Sequence, residues 1–496
     1  MRGATKLALR ALDKPGVRVG DLLNAVLAGA ALWSVGALLA APAGAAELNW
    51  VIDPVAKRYL PSPAGYVVER VISVPREQGG LKAPQDLFID HEGFLWVVDS
   101  GNGRLLKMTL DGKLVSVFGG PGGERLYQPQ GVFVNADGTA YVADTGNGRV
   151  VVLGPDGQLV RAYGTPSSPL LEKGFSFKPT KLLIDNRGYI NVVNEGDYRG
   201  ILLLDLDGNF RGFFAANPVG FDWRRLLIRI LATEAQRERI ARLLPPPHSN
   251  LTQDQQGFVY TTTVHAAKGQ IKRFNSIGRN TYPVRQYGVP WYREFQQVLP
   301  HFTDLAVDPE GIVTVVDATT LYVFQYDQDG NNLIVFGGRG AQQGKFLYPS
   351  AIAVDARGYL YIADREQDVI QVFRPTEFMQ LVHKASALYY DGRYEQAGEP
   401  WRQVLQINRN YLIAHRGLGR ALLKQGKLRE AMQEFRYGKD RSGYSRAFGE
   451  LRYRWMRSHF GLTMLALAAV LLLAWLLLKL AQRIMHSARA RYGGYL

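Results

Sequence analysis

A repeat of about 45 residues constrains this 496-residue chain more than any other feature. Its two clearest copies run from residue 83 to 108 and from 128 to 153, and Asp99 and Asp144 hold matching positions 45 residues apart. Four less regular copies begin at or near residues 179, 250, 302 and 349. One unit of this length cannot bury a core alone, so the six copies predict an array in which neighbouring units pack together.

Each copy has alternating apolar residues, a turn with Gly, a second alternating run that ends near Asp, and further short runs separated by tight turns. Four short antiparallel strands per unit are typical of a propeller blade. The sixth copy ends at Pro375 after three strands, whereas an orphan strand over Tyr66–Ile72 precedes the first copy. The sequence therefore predicts a six-bladed propeller over residues 66–375, in which this strand completes the last blade and removes an exposed edge.

The run P-x-G/D-φ-x-φ-D, followed by G-x-φ-Y/W-V-A-D-x-x-N-x-R, is clear in copies one, two and six and resembles the NHL repeat. The resemblance covers about residues 66–375 and implies a mainly β fold, a six-bladed NHL-type β-propeller. An insertion over residues 221–245 interrupts it between copies three and four. Its apolar spacing predicts an amphipathic, Arg-rich helix packed across the propeller, with docking onto a partner or a lipid surface as alternatives.

After Pro375 the period changes to 34 residues, which separates Ala387 from Ala421 and Trp401 from Phe435. This pattern resembles the tetratricopeptide repeat, and it implies a small α-helical array over residues 377–458. Two such repeats form a concave groove, and 16 basic against 8 acidic residues in this region suggest an acidic peptide or a lipid headgroup as its ligand. The candidate contacts in the groove are Arg416, Arg420 and Lys424. The alternative is a solvated spacer that holds the propeller off a membrane.

Two apolar runs point to a membrane. Residues 1–46 combine a basic start, an apolar run and small residues, which predicts a cleaved signal peptide or, alternatively, an N-terminal anchor. Residues 460–480 form an almost unbroken apolar run that predicts a transmembrane helix, followed by a short basic tail over 481–496. Five basic residues before the first run place the N-terminus inside, so we expect a single-pass protein of the cell membrane with an extracytoplasmic propeller.

Charge and cysteine content exclude several functions. The formal net charge is +15, yet residues 47–375 hold 34 basic and 34 acidic side chains. A neutral propeller has no net attraction for a polyanion, which argues against nucleic acid as a partner. The chain has no cysteine, which excludes disulfides and cysteine nucleophiles.

The polar residues repeated at the end of the second strand of each copy are the candidate ligand contacts of the propeller face. A residue that recurs around a ring usually hydrogen-bonds its own hairpin, so a structural role is the other interpretation. The candidates are Asp99, Asn102, Arg104, Asp144, Asn147, Arg149, Asn194, Arg199, Asp317 and Asp364. We expect no metal site and no cofactor, because His248, His265 and His301 share no repeated position that would direct them to one metal.

These features favour a membrane-anchored, extracytoplasmic binding or scaffold protein of a cell-envelope complex over an enzyme. Its partners would be the membrane, a protein and, in the propeller, a sugar or peptide ligand. The alternative is a metal-dependent hydrolase or lyase of the six-bladed propeller class, similar to lactonases.

Overall fold

The computed structural model describes residues 49–53, 56, 58–119, 125–218, 244–264, 266–289, 291–293 and 296–492. The predicted signal or anchor over 1–46 lies outside the described residues. So do His265, the end of the basic tail and all but the last two residues of the insertion 221–245.

Blades 1 to 3 are four-stranded antiparallel sheets, and each follows one copy of the repeat. The first strand of each copy lies innermost, and the fourth lies at the outer edge. Blade 1 contains β4 (Pro84–Ile89), β5 (Phe94–Asp99), β6 (Arg104–Thr109) and β7 (Leu114–Phe118); blade 2 contains β8 (Gly131–Val134), β9 (Ala140–Asp144), β10 (Arg149–Leu153) and β11 (Leu159–Tyr163); blade 3 contains β12 (Pro179–Ile184), β13 (Ile190–Asn194), β14 (Ile201–Leu204) and β15 (Phe210–Phe214).

Blade 4 departs from the predicted four strands. It contains β16 (His248–Gln253), β17 (Val259–Thr263) and β18 (Ile271–Phe274), and its fourth segment forms only an isolated bridge between Phe274 and Asn280. The side chain of Asn280 explains the short ladder, because its Oδ1 accepts the backbone N–H of Arg273 at 3.0 Å. A separate hairpin of β19 (Trp291–Arg293) and β20 (Gln296–Val298) precedes the next blade.

Blade 5 is extended by an N-terminal hairpin that sequence analysis left unassigned. The hairpin of β1 (Asn49–Ile52) and β2 (Tyr59–Ser62) adds to the outer strand of the blade, where Trp50 pairs with Val335. The blade itself contains β21 (Phe302–Val307), β22 (Val313–Asp317), β23 (Tyr322–Tyr326) and β24 (Asn332–Gly337). The hairpin covers an edge that would otherwise be open to pairing with another chain.

Blade 6 confirms the predicted closure. Its strands β25 (Pro349–Val354), β26 (Leu360–Asp364) and β27 (Val369–Pro375) are completed by β3 (Tyr66–Ile72). Strand β3 pairs antiparallel with β27, with Ile72 opposite Ile370 and Tyr66 opposite Pro375. The six blades thus form a closed propeller, held together by apolar clusters between neighbouring blades.

Six helices follow the propeller: α1 (Glu377–Tyr390), α2 (Tyr394–Ile407), α3 (Leu412–Lys424), α4 (Leu428–Tyr437), α5 (Arg441–Ser458) and α6 (Phe460–Tyr492). Helices α1 to α4 pack in series as two helical hairpins, and α5 packs on α4. The aromatic residues that sequence analysis paired fill close contacts. A Cβ at Gly417 would lie 2.3 Å from the indole Nε1 of Trp401, and one at Gly419 would lie 2.8 Å from Phe435.

The helical array packs directly on blade 5. Phe378 and Met379 of α1 join the apolar cluster that contains Ile334, and Tyr411 donates a hydrogen bond to the carbonyl oxygen of Leu333 at 2.7 Å. A buried His383 lies beside the carboxylate of Asp308, with 3.6 Å between Nδ1 and Oδ2. Burial raises the pKa of Asp308 to about 8 and lowers that of His383 to about 4, so this pair is neutral near pH 7.

Helix α6 has the length and composition to cross a membrane over Phe460–Ser487. None of the most apolar part of this segment is buried against the protein. The helix continues to Tyr492, so the first part of the predicted tail extends the helix beyond residue 480.

Candidate functional site

The repeated aspartates lie at the ends of the second strands and are bonded within their own blades. Asp99 is fully buried, and its Oδ1 accepts the backbone N–H of Lys82 at 2.8 Å. Its Oδ2 accepts Asn102 Nδ2 at 2.9 Å and Arg104 Nε at 2.7 Å. The sharp turn after β5 brings these three side chains together, since residues 100–102 form one turn of 3-10 helix.

The other blades repeat this arrangement with variations. Asp144 accepts from Tyr127 N, Asn147 and Arg149, and Asp364 accepts from Leu347 N and Gln367 Nε2. Asp317 accepts from His301 N and the hydroxyl of Thr320, and Asn194 accepts from Lys178 N. Arg199 pairs instead with Asp197, at 2.7 Å. These bonds give each residue a structural task, and ligand binding by the same residues stays a prediction.

A second polar cluster lies in the central channel, where the six innermost strands surround a cavity of about 260 Å³. When the six copies are aligned, the positions equivalent to Asp86 are Gly131, Lys181, Asn250, Asp304 and Ala351, and we call these six residues the ring. Four of them, Asp86, Lys181, Asn250 and Asp304, line the cavity. The residue at this position differs from blade to blade, apart from the two aspartates. The aspartates at the ends of the second strands, in contrast, recur in most blades.

Lys181 links three alternate blades across the channel. Its ammonium group forms a short ion pair with Asp86 and lies 3.9 Å from Oδ2 of Asp304. Asn250 donates a short hydrogen bond to the other oxygen of Asp304. The three charged residues are each less than a tenth exposed, so the ammonium group compensates two buried carboxylates.

The protonation of this trio reflects its burial. Burial raises the pKa of Asp304 to about 7, with Asp86 adding to the shift and Lys181 opposing it. Burial also raises the pKa of Asp86, against the opposing charge of Lys181. Burial lowers the pKa of Lys181, but the two carboxylates outweigh it and hold the ammonium form.

The carboxylates of the trio also join neighbouring blades. Asp86 accepts the backbone N–H of Val132 at 2.9 Å, and Asp304 accepts that of Ile352 at 2.7 Å. Gly131 has no room for a side chain here, because a Cβ would lie 2.5 Å from the carbonyl oxygen of Thr180. Sequence analysis missed this trio because it weighed positions that recur. Aligning the six copies and comparing the position that Asp86 occupies in the first copy would have revealed the trio.

Blade 4 contains an unusually polar second strand, in which three consecutive threonines follow Tyr260. Thr261, Thr262 and Thr263 are all buried, and Lys272 donates to the hydroxyl of Thr263 at 2.9 Å. Burial lowers the pKa of Lys272 to about 8. Nearby, Nε2 of the buried His248 lies 2.8 Å from the carbonyl oxygen of Ala215. Among the described residues, no three His, Asp or Glu side chains are grouped to hold a metal ion.

The helical array has a groove of about 220 Å³ lined by Tyr389, Tyr394, Arg420, Leu423, Lys424 and Arg446. We call it the basic groove. Lys424 lies over the ring of Tyr394, with 5.3 Å from Nζ to the ring centroid, and Arg420 lies over Tyr389 at 5.2 Å. In the part of the chain that the structure describes, neither Lys424 nor Arg446 has a carboxylate partner.

The structure separates the three predicted groove residues. Arg420 and Lys424 line the basic groove, whereas Arg416 donates from Nε to the carbonyl oxygen of Gly438 at 2.7 Å and holds the end of α4. Arg446 of α5 completes the groove and was not predicted, because it lies beyond the two copies of the 34-residue pattern. Its basic charge beside the array was the available signal.

A smaller cavity of about 30 Å³ lies next to the groove, between the array and blade 5. Three atoms that can donate hydrogen bonds and belong to residues lining it have no partner among the described residues: Ser386 Oγ, Trp401 Nε1 and Arg420 Nε. The cavity also contacts Asp327 and Asp329, and Arg420 lies 3.7 Å from the carboxylate of Asp329. Its mixed charge and small size suit ordered water.

Comparison with known proteins identifies an NHL repeat over residues 126–153. No curated protein matches the chain. Among solved structures, a streptogramin B lyase is similar at 14% identity and a TM-score of 0.39, covering 67% of this chain and 87% of that one. A catalytically inactive virginiamycin B lyase from Staphylococcus aureus with quinupristin has 14% identity and a TM-score of 0.38, covering 67% and 89%. A gluconolactonase from Xanthomonas campestris has 14% identity and a TM-score of 0.41, covering 60% and 87%.

Proposed function

We propose that this chain is a membrane-anchored, extracytoplasmic binding protein whose basic groove holds an acidic segment of a protein partner. The propeller and the array act together as its binding head, and α6 attaches the head to the membrane. The array serves as a pair of tetratricopeptide-type repeats, a role supported by its two serial helical hairpins. The five basic residues before the first apolar run support the outside placement of the head.

One observation carries this proposal: the basic groove presents positive charge that the protein itself leaves uncompensated. Lys424 and Arg446 have no carboxylate partner among the described residues. Most of the described basic residues of blades 1 to 3, in contrast, form ion pairs, as Arg104 and Arg149 do. Two tyrosine rings flank these charges and offer apolar contact area. An extended peptide with Asp or Glu side chains would satisfy both features.

The propeller supplies a rigid support for the groove. Helix α1 is fixed to blade 5 through buried contacts of Phe378 and Met379, and Tyr389 at its end forms one wall of the groove. Lys439 adds an ion pair with Asp53 of the N-terminal segment, at 2.9 Å. The groove is therefore held in a fixed shape before a ligand arrives, which lowers the entropic cost of binding.

A hydrolase or lyase is the second candidate, and the trio of the central channel is what favours it. Asp304 has a pKa near 7, the range that suits a general acid or base, and it occurs in a ring that varies from blade to blade. The same carboxylate has structural tasks at Ile352 and Asn250, so the binding role of the basic groove is the stronger conclusion.

The test uses the full chain in mild detergent and a fluorescein-labelled decapeptide of alternating Glu and Gly. We expect binding that weakens with salt, and a loss of about tenfold in affinity for the double variant Lys424→Glu with Arg446→Glu. The matched control is Lys173→Glu with Lys268→Glu, which changes the net charge equally on exposed propeller residues. Equal affinity in both double variants would contradict the proposal.

A further inference from the structure

The last two turns of α5 are exposed in the part of the chain that the structure describes, and only the guanidinium of Arg454 approaches the array, at Gly426. Every residue from Arg452 to Ser458 is exposed, although α5 is anchored earlier by the buried Gly443 and Ala447. The exposed side chains include Tyr453, Trp455 and Met456, with Trp455 54% exposed. An exposed surface with several large apolar side chains is typical of a site that binds a protein or a membrane.

The position of these turns in the chain indicates that a membrane covers this surface. Helix α5 ends at Ser458 and the candidate span begins at Phe460, so a single residue separates them. About 20 residues of helix cross a hydrocarbon layer of roughly 30 Å, which the apolar run over residues 460–480 fills. The exposed end of α5 then lies in the headgroup layer.

The side chains of this segment match that layer chemically. Trp and Tyr concentrate at membrane interfaces, where an apolar ring and a polar edge are both satisfied. Arg452, Arg454 and Arg457 add three cations, and the nearest acid in the sequence, Glu450, pairs with Arg454 at 2.7 Å. Two of the three arginines thus remain available for phosphate groups.

An aromatic stripe continues this surface toward the array. Tyr444 and Phe448 are stacked one helical turn apart and are both partly exposed, and Trp455 stacks on His459 at 4.8 Å. On a helix, residues 444, 448, 455 and 459 lie on one side. This side borders the face of α5 that packs on α4. One helix therefore contacts the array near its start and carries exposed aromatic side chains toward its end.

We propose that the exposed end of α5, residues 452–458, lies in the membrane interface, where Arg452 and Arg457 bind anionic phospholipid headgroups and Tyr453, Trp455 and Met456, which surround the helix, contact the interface. This proposal rests on the membrane attachment in the proposed function and does not depend on the basic groove. Its consequence is that the binding head is held against the bilayer surface in a fixed orientation.

Because the chain contains no cysteine, a single introduced thiol reports one site. We would label Met456→Cys with an environment-sensitive fluorophore and place the full chain in nanodiscs of phosphatidylcholine alone or with added phosphatidylglycerol. Label on Ser167→Cys, an exposed propeller loop, is the matched control. Flotation with the lipid checks membrane attachment separately, and failure there would overturn the proposed attachment and this inference together.

We expect acrylamide to quench the residue-456 label roughly twofold less when anionic lipid is present, with no change at residue 167. Arg452→Gln with Arg457→Gln should remove this difference, whereas Lys424→Gln with Arg446→Gln should keep it. Equal quenching in the two lipid mixtures would overturn the inference. So would a disulfide between two residue-456 thiols, which would show that a second copy covers this face.

Discussion

At the scale of single residues, the trio in the central channel shows how a buried charge is tolerated. Lys181 compensates Asp86 and Asp304 at positions where each of the three residues is less than a tenth exposed. Removing one partner of such a group leaves an uncompensated buried charge, which costs more than the intact ion pair contributes. The carboxylates cannot simply move to solvent, since they also accept backbone N–H groups of Val132 and Ile352.

We therefore predict that Lys181→Met destabilises the protein, by about 3 kcal/mol at pH 8 and by less at pH 5. The sign follows from Asp304, whose folded pKa of about 7 lies above its unfolded value of 3.8. The contribution of the protonated Asp304 carboxyl to the free energy of unfolding is complete below pH 3.8 and is lost as the pH rises through 7. Without the positive charge of Lys181, ionising Asp304 costs more, so the loss of stability at pH 8 is larger. Thermal unfolding at the two pH values measures it.

The control is the triple variant Lys181→Met with Asp86→Asn and Asp304→Asn, which has no buried charge at these positions. It should recover most of the stability at pH 8 and lose its dependence on pH in this range. A Lys181→Met variant as stable at pH 8 as at pH 5 would contradict this account of the channel.

Some of these residues could be predicted from sequence and others could not. The environment of Asp99 follows from its recurrence, because Asp, Asn and Arg at the same spacing form the same turn in the first two copies. The partnership of Lys181 with Asp304 spans two blades, so no local spacing encodes it. Arg416 and Arg420 are four residues apart on α3, yet packing of α4 turned one into a helix-end contact and left the other in the groove.

At the scale of elements, strand β3 closes the ring by joining the start of the propeller to its end. Six of its seven residues pair along β27, and the seventh, Glu69, forms an ion pair with Arg374 at 3.0 Å. The deficit of one strand in the sixth copy made this pairing predictable. The hairpin of β1 and β2 was not, because it belongs to no repeat, and neither was the missing ladder in blade 4, which depends on the side chain of Asn280.

We predict that replacing residues 66–72 with Gly and Ser lowers the melting temperature by roughly 5–10 °C and promotes aggregation through the open edge of β27. The same replacement over the loop 167–173 is the control and should have little effect, since most of that loop is exposed. Differential scanning calorimetry and light scattering measure the two effects. Equal melting temperatures for both variants would show that β3 does not close the propeller.

At the scale of the whole molecule, the distribution of charge follows the architecture. The propeller is neutral, whereas the helical array that packs on blade 5 carries a net charge of +8 within residues 376–458. That charge meets solvent at the basic groove and along the exposed end of α5. The chain therefore combines a neutral propeller with a basic helical region that lies between the propeller and the candidate membrane span in the sequence.

The most direct test of partner binding places a photo-crosslinking amino acid, p-benzoylphenylalanine, at Tyr394 in the full chain within native membranes. We predict a crosslinked protein partner whose attachment site, mapped by mass spectrometry, lies in a segment rich in Asp and Glu. The yield should fall at least several-fold when Lys424→Glu and Arg446→Glu are added. No adduct, or an adduct whose yield is unchanged by the two charge reversals, would contradict the role of the basic groove.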